Sequence, residues 1–241
     1  NLFFKWRFMI VFTKIFDTIM LSKLGEILML SLDHIVFSGS DLQAATKDYG
    51  NIPLKTIKGG THENWGTHNY LAYFANNCYI EWLGIKDFTK ADSSANPLIK
   101  HLIYAISQNE QGPFQFALRT TKLDAYVDHF QENNIPFVGP VDGERQKPDG
   151  SILRWRMLFP TYNYDEETLP FLIEWSETES KRFDVSLINS QTVAEILIGN
   201  LSKERYQEIY QLRNRVISRT VRLRNTSIKF TGDGTLSMNV K

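Results

Sequence analysis

Two short strings in the sequence place a carboxylate in the middle of an apolar stretch and follow it with tryptophan. The first is Tyr79-Ile80-Glu81-Trp82 and the second is Leu172-Ile173-Glu174-Trp175. Both stretches are typical of buried strands, where an ionised carboxylate is costly unless it is paired or coordinated. The recurrence of this costly feature indicates that Glu81 and Glu174 share one role.

Two further polar side chains fall at related positions in predicted strands. His34 lies in the strand 32–37, and alignment of 41–44 with 122–125 places Gln115 at the matching position of the second half. Because side chains alternate across a strand, we expect all four polar residues on one face of a shared curved sheet. Such a mixed nitrogen and oxygen set suits a divalent ion such as Mn, Fe, Co, Ni or Zn. Without a cation, the two carboxylates would repel each other.

Each of these residues also has a purely structural interpretation. His34 could be a satisfied core histidine, and Gln115 could bond only to the backbone. Glu81 and Glu174 could be strand-end residues paired with Lys or Arg. The residues alone leave both interpretations open.

The predicted elements occur in the same order in two halves: strand, helix and then three strands. A connector helix is predicted from the Asn96-Pro97 start to about Ser107, and polar loops are predicted at 59–67 and 139–150. Because sequence identity between the halves is low, the internal repeat is inferred from element order and pattern. The other predicted strands are 54–57, 68–74, 78–85, 114–120, 135–138, 152–159 and 170–176, with helices at 42–49 and 121–133.

The chain divides into four segments. Residues 1–28 are interpreted as a non-native or amphipathic leader, because 23–29 is what a bacterial ribosome-binding site and start codon would encode if translated. We therefore expect the native protein to begin at Met29. Residues 29–110 are the first module with its connector helix, 111–180 the second module, and 181–241 a partial third unit.

Composition limits the classes of function. The chain has 241 residues, 42% of them hydrophobic, and equal numbers of basic and acidic residues (27 each) give a formal net charge of zero. That balance does not indicate nucleic-acid binding. The single cysteine, Cys78, excludes an internal disulfide, and charged residues interrupt the apolar start before it could span a membrane. We expect a cytoplasmic protein with a small-molecule ligand, and a homodimer as one option for its assembly.

Three stretches together resemble the glyoxalase-like domain family of the vicinal oxygen chelate superfamily. They are Leu32-Asp33-His34-Ile35-Val36-Phe37, the glycine-rich 59–69, and Pro170-Phe171-Leu172-Ile173-Glu174-Trp175. The segment 145–156 also resembles members of this family. The resemblance covers roughly 30–176, and its motifs are more specific for the fold than for the reaction.

The expected fold is α+β. The resemblance implies two paired βαβββ modules that form a curved mixed sheet around a cup, and 181–241 would add a C-terminal βαββ-like extension. Metal ligands carried over by position, on the first and last strands of each module, would be His34, Glu81, Gln115 and Glu174. Glutamine at the second first-strand position has precedent among glyoxalase I enzymes.

The expected function is that of a metal-dependent lyase, isomerase or dioxygenase-type enzyme on a small oxygenated molecule. The ion, unless this chain has lost it, would act as a Lewis acid, and Glu81 or Glu174 would be the general base. His68 and Asn69 would contact substrate, and Arg154 would neutralise an acidic substrate or form a salt bridge. The alternatives are a non-catalytic binding protein of the bleomycin-resistance type and a module that uses the cup for a partner.

Overall fold

The computed structural model describes residues 30–39, 42–46, 53–146, 150–176, 184–210 and 219–241. The predicted leader 1–28 and the proposed start at Met29 lie outside the described residues. No helix in the described part of the chain has the length and apolar character needed to cross a membrane.

The elements are as follows. The strands are β1 (Ser31–Ser38), β2 (Ile57–His62), β3 (Thr67–Phe74), β4 (Cys78–Ile85), β5 (Gly112–Arg119), β6 (Phe137–Gln146), β7 (Ile152–Pro160), β8 (Phe171–Trp175), β9 (Ile188–Asn189), β10 (Val193–Ile198), β11 (Thr220–Arg222), β12 (Ser227–Phe230) and β13 (Leu236–Val240). The helices are α1 (Leu42–Ala45), α2 (Phe88–Asp92), α3 (Pro97–Ser107), α4 (Leu123–Glu132) and α5 (Lys203–Tyr210), with a 3-10 turn at Val185–Leu187.

Two four-stranded modules join edge to edge within one chain. The strand order is β2-β3-β4-β1-β5-β8-β7-β6, and the short β9 adds to β3. In each module the first strand runs parallel to the last, β1 with β4 and β5 with β8. The two first strands pair antiparallel in the middle of the sheet. The predicted α+β fold of paired βαβββ modules around a cup is therefore confirmed.

The register between β1 and β5 shows how the modules are related. His34 lies opposite Ala117, and Val36 lies opposite Gln115. This reciprocal pairing is what an approximate two-fold axis requires if His34 and Gln115 occupy equivalent positions. It agrees with the alignment of the two halves.

The curled sheet separates two apolar clusters. Its outer face carries Ile35, Phe37, Phe116 and Leu118, which pack against α4 and the C-terminal unit. Its inner face, inside the curl, carries alternate residues such as Val36 together with side chains of α3. Because burying one large apolar side chain contributes about 1.5–3 kcal/mol, this alternation fixes the register of the central strands.

Two predicted loops are strands in the structure. The segment 59–67 belongs largely to β2 and a turn, and most of 139–150 belongs to β6. Gly59-Gly60 and Gly139-Pro140 each lie where the strand register shifts against its neighbour. Glycine and proline at such positions mark bulges, which the sequence pattern does not distinguish from loops.

The C-terminal unit is a second sheet with the strand order β11-β12-β10-β13. Helix α5 lies between β10 and β11 in the chain. β10 runs parallel to β12, as in a βαββ unit, so the predicted extension is confirmed. The side chain of Asn225 ties this unit to the main sheet. Its Oδ1 accepts from the Leu32 amide at 2.8 Å, and its Nδ2 donates to the carbonyls of Leu32 and Asn76, both at 2.9 Å.

Replacing Asn225 by alanine should lower the free energy of unfolding by about 2 kcal/mol, because three backbone groups lose their partner. Urea unfolding measures this change. Asn239→Ala, at an exposed position of β13, is the matched control and should change stability by less than about 0.5 kcal/mol. Equal values for the two variants would contradict the assigned role of Asn225.

Candidate functional site

The inner face of the sheet encloses a small cavity of about 40 Å³. We call it the inner cavity. This volume holds one or two water-sized groups. Its polar side chains are those of His34, His62, Asn69, Glu81 and Arg145. The remaining wall is largely apolar or aromatic and is formed by Trp65, Leu71, Tyr79, Leu83, Leu98, Ile99, Trp155, Met157, Phe171, Ile173 and Trp175.

Glu81 is a buried carboxylate on this wall, only 7% exposed. One oxygen, Oε1, accepts a hydrogen bond from Asn69 Nδ2 at 2.6 Å. The other, Oε2, lies 3.4 Å from His34 Nε2. The hydrogen bond from Asn69 offsets part of the cost of burying the charge and fixes the carboxylate against the cavity.

His34 is oriented by its own neighbour in the sequence. Asp33 Oδ1 lies 2.8 Å from His34 Nδ1, although adjacent residues of a regular strand point to opposite faces. The contact is allowed because the β1–β5 register shifts between Leu32 and His34, which is the signature of a β-bulge at Asp33. Tyr79 stacks on the imidazole with ring centroids 4.6 Å apart, and Phe171 meets it edge-on at 5.5 Å.

Asp33 anchors the far end of this chain of contacts. It is completely buried, and its Oδ2 accepts from Trp175 Nε1 at 3.0 Å and from an Arg119 nitrogen at 3.2 Å. Because an ionised carboxylate only accepts, Nδ1 of His34 is assigned the hydrogen and Nε2 faces Glu81. The result is a connected line of side chains: Asp33, His34, Glu81 and Asn69.

Asn69 is held by the glycine pair of β2. Its Oδ1 accepts from the Gly60 amide at 2.8 Å. A Cβ at Gly59 would lie only 2.1 Å from that oxygen. A side chain at Gly59 would therefore displace Asn69 and, with it, the hydrogen bond to Glu81.

The inner cavity opens into a larger surface depression of about 980 Å³, which we call the outer hollow. The two share His62, Trp65, Arg145 and Trp155. His62 Nδ1 lies 3.0 Å from Thr67 Oγ1, and its ring packs near both tryptophans. Burial lowers the pKa of His62, opposed by Glu81 and assisted by Arg145, so the ring is neutral at pH 7.

Buried histidines make a pH dependence of stability predictable. Burial lowers the pKa of His101 to about 4, and it also lowers the pKa of His62. In an unfolded chain the pKa of histidine is about 6.5. Between this pH and the folded-state pKa of His101, about 4, the unfolded state binds more protons than the folded state. The free energy of unfolding should therefore fall on acidification from about pH 6.5 to 4, by on the order of 3 kcal/mol from His101. Urea unfolding across this range measures it, and an unchanged slope in His101→Gln would contradict it.

Glu174 does not lie in the inner cavity, which corrects the prediction that it shares a face with Glu81. Val36 pairs with Glu81, whereas its equivalent Ala117 pairs with Phe171. Phe171 therefore occupies the position of Glu81 in the second module. Three residues further along the strand, Glu174 points to the opposite face.

On that face Glu174 has structural partners. Arg156 donates to its Oε2, and its Oε1 accepts from the Leu123 amide at 3.3 Å. Leu123 is the first residue of α4, and Lys122 provides no side-chain cap for this helix. Glu174 thus replaces the missing cap and places negative charge at the helix N-terminus. These contacts agree with the alternative interpretation of Glu174 as a strand-end residue paired with arginine.

Gln115 also lies away from the inner cavity. Its Nε2 donates to Tyr162 Oη at 2.5 Å and to the Leu169 carbonyl at 3.1 Å, while its Oε1 accepts from the Phe116 amide. The side chain lines a different depression, near α3. Gln115 pairs with Val36 in the regular part of the β1–β5 register and therefore shares the inner face with His34. Its side chain is bonded to Tyr162 and does not reach the inner cavity.

Of the predicted substrate contacts, Asn69 alone lies in the inner cavity. His68 points to the other side of β3, near Gly84 and Leu42. Arg154 lies on the rim of the outer hollow, 3.4 Å from Glu144, with both side chains 57% exposed. Arg154 therefore forms the salt bridge that was one of its two predicted roles, and contact with an acidic substrate stays a prediction.

The residues do not fit the predicted four-ligand metal site. His34 and Glu81 meet, but Gln115 and Glu174 have other partners elsewhere. Within the described ranges, no three His, Cys, Asp or Glu side chains are arranged to hold a metal ion. A cation, Arg145, also lines the same cavity.

Sequence reasoning missed Asp33, His62 and Arg145. Asp33 lies beside His34 in the motif 32–37, but the alternation of side chains along a regular strand predicts that it lies on the opposite face. Arg145 stood in a segment predicted to be a loop. For Asp33 the signal was an irregular register, which only the pairing of strands reveals.

Comparison with known proteins identifies the family. A family model described as a glyoxalase-like domain matches residues 32–212. No curated protein matches this sequence. Among solved structures, a hypothetical protein from Staphylococcus aureus is similar with a TM-score of 0.67 and 21% identity, covering 84% of this chain and 87% of that one.

Two weaker structural similarities are to methylmalonyl-CoA epimerases. A variant from Streptomyces coelicolor, in complex with 2-nitronate-propionyl-CoA, has a TM-score of 0.46 and 15% identity over 62% of this chain and 97% of its own. The protein from Mycobacterium tuberculosis has 0.45 and 20% over 64% and 93%. The family match extends from the first strand through the two modules to α5. The chain therefore belongs to the glyoxalase-like domain family of the vicinal oxygen chelate superfamily.

Proposed function

We propose that this protein is an enzyme that uses Glu81 as a general base on a small oxygenated carbon acid. The observation that supports the proposal is the line Asp33, His34, Glu81 and Asn69 at the wall of the inner cavity. It presents a buried carboxylate whose two oxygens are held in place and whose neighbour can exchange a proton with it. A positioned base of this kind contributes about 10²–10⁴-fold to a proton transfer.

The reaction class that suits this arrangement is proton abstraction next to a carbonyl. The proton passes from carbon to a Glu81 oxygen, and the electron pair of the broken bond moves to the carbonyl oxygen to give an enolate. Return of the proton to carbon completes an isomerisation or an exchange with solvent. His34 Nε2, which lies 3.4 Å from Glu81 Oε2, provides a second position for the proton.

The shape of the site limits how a substrate is bound. Only its reacting end fits the inner cavity of about 40 Å³, so the remainder occupies the outer hollow. Aromatic walls at the junction exclude water from the base, and exclusion of water strengthens the electrostatic interactions there. Trp65 and Trp155 form this junction.

The metal-dependent mechanism stays a prediction, and the proposed steps use no metal. Metal content by plasma mass spectrometry on untagged protein, compared with Glu81→Gln and Glu174→Gln, tests it. Near-stoichiometric metal that is lost in Glu81→Gln would contradict a metal-free base. We expect Glu174→Gln to leave metal content unchanged, because Glu174 is bonded to Arg156 on the other face.

A non-catalytic protein that sequesters a small molecule is the second candidate. Three tryptophans, Trp65, Trp155 and Trp175, line the inner cavity and favour binding of an apolar or planar ligand. Proton exchange at carbon separates the two candidates. The proposed enzyme catalyses deuterium incorporation into α-keto aldehydes or 2-oxo and 2-hydroxy compounds in D₂O, followed by NMR, whereas a sequestering protein binds such compounds without exchange.

A further inference from the structure

We propose that Arg145 binds a carboxylate group of the substrate, so that small 2-oxo or 2-hydroxy acids are the class of compound that enters the inner cavity. The assignment of the acid's reacting carbon to Glu81 rests on the proposed function. The anion site itself rests on four observations around Arg145: its place, its support, its lack of a neutralising partner, and the size of the cavity.

Arg145 lies at the junction of the inner cavity and the outer hollow and lines both. It is half-buried on β6. Its side chain donates a hydrogen bond to Tyr73, and its electrostatic influence extends to His62 and Tyr79. A ligand that enters from the hollow must therefore pass the guanidinium before it reaches Glu81.

Support for the side chain comes from the glycine pair of β2. A Cβ at Gly60 would lie 2.5 Å from Arg145 Cδ and 2.8 Å from its Cγ. The aliphatic part of Arg145 thus lies directly on the β2 backbone, where only glycine leaves room for it. Gly59 and Gly60 therefore hold the two polar ends of the site, Asn69 and Arg145, through adjacent positions.

Within the described residues, Arg145 has no carboxylate at ion-pair distance. The two other arginines of the outer hollow are neutralised: Arg154 by Glu144 at 3.4 Å, and Arg156 by Glu174 and Asp124. A half-buried guanidinium with no carboxylate in contact retains the donors that bind one. The site is therefore arranged for an anionic group supplied from outside.

A carboxylate suits this position better than a larger anion. The guanidinium is planar and binds a carboxylate through two parallel hydrogen bonds, and the cavity has room for only a few atoms. Because Glu81 and Arg145 line the same cavity, a carbon close to the bound carboxylate is brought to the base. In a 2-oxo acid this carbon is C3, which lies next to the ketone and carries the acidic hydrogen. In a 2-hydroxy acid it is C2. Arg145 also offsets the repulsion between that carboxylate and Glu81, and the negative charge that develops on the enolate.

The test compares acids with their neutral analogues. Isothermal titration calorimetry measures binding of lactate and pyruvate against lactamide and methyl pyruvate, for the wild type and for Arg145→Gln. We expect the acids to bind about 10- to 100-fold more weakly to Arg145→Gln, and the neutral compounds to be unaffected. Arg145→Lys keeps the charge but loses the paired donors of the guanidinium, so its affinity for the acids should lie between those of the wild type and Arg145→Gln. Arg222→Gln, an exposed position on β11, is the matched control and should bind like the wild type.

Three results would overturn the assignment of Arg145. One is equal binding of acids and neutral analogues to the wild type, or no Arg145-dependent binding up to about 50 mM acid. Another is a larger loss in Arg154→Gln than in Arg145→Gln. The third is inorganic phosphate binding as tightly as pyruvate, which would replace the carboxylate by a phosphate site.

The same variants keep this inference separate from the proposed function. Glu81→Gln should lower the rate of deuterium exchange by about 10²–10⁴-fold and retain Arg145-dependent binding of the acids. Arg145-dependent binding with exchange unaffected by Glu81→Gln would contradict the base and leave the anion site standing. Exchange that depends on Glu81 but is equal for acids and amides in the wild type would contradict the anion site and leave the assignment of Glu81 as the base standing.

Discussion

Replacing Glu81 by glutamine should lower the rate of carbon–hydrogen exchange by about 10²–10⁴-fold, the range that a positioned general base contributes. Glutamine has nearly the same shape, and its amide oxygen can still accept from Asn69 Nδ2. It has no carboxylate oxygen to take the proton. The measurement is the rate of deuterium incorporation at carbon in D₂O, followed by NMR at a concentration of the 2-oxo or 2-hydroxy compound that saturates the protein.

Glu174→Gln is the matched control for this result. It removes a carboxylate from the same type of strand and the same Ile-Glu-Trp string, but one that faces Arg156 and the start of α4. We expect exchange at the wild-type rate. Stability should change by about 1 kcal/mol, because the glutamine oxygen can still accept from the Leu123 amide while the ion pair to the partly exposed Arg156 is lost. Equal loss of exchange in the two variants would contradict the assignment of Glu81 as the base.

The sequence was sufficient for the fold because its information is local and repeated. β-branched and aromatic runs mark most of the strands, and the Asn96-Pro97 start marks α3, whose first turn Asn96 caps through the Leu98 amide at 2.9 Å. The same element order in both halves then indicates paired modules. Tertiary packing only had to bring two similar sheets together edge to edge.

The candidate site was predictable only in its first module. Identical strings suggested that Glu81 and Glu174 were equivalent, but equivalence in a sheet is set by strand register and not by local identity. The register places Phe171 opposite Ala117, and an offset of an odd number of residues reverses the face. In physical terms, the second module fills its half of the cup with an aromatic ring where the first has a carboxylate.

The bulges were the other source of error, since they depend on contacts between strands far apart in sequence. At Asp33 the bulge turns a carboxylate toward the histidine beside it. The irregular positions of β2 and β6 carry Gly59-Gly60 and Gly139-Pro140, which as local sequence predict loops. The irregular positions at Asp33 and Gly59-Gly60 lie next to the site, which agrees with the tendency of bulges to lie next to functional residues.

Asp33→Ala should lower the free energy of unfolding by about 3–5 kcal/mol, the usual loss when one partner of a buried ion pair is removed. Asp33 is completely buried and receives Trp175 Nε1 and Arg119, and the Arg119 side chain is only 12% exposed. Alanine leaves that guanidinium and His34 Nδ1 without their carboxylate. Urea unfolding at pH 7 measures the change.

Asp124→Ala provides the exposed counterpart of this experiment. Asp124 also accepts from an arginine, Arg156, at 2.9 Å, but its side chain is 77% exposed. Because water solvates both charges there, we expect a loss below about 1 kcal/mol. The difference between the variants isolates the effect of burial on an otherwise similar pair. A loss in Asp33→Ala as small as that in Asp124→Ala would mean that Asp33 does not hold Arg119, Trp175 and His34 together, and the orientation of His34 toward Glu81 would then need another cause.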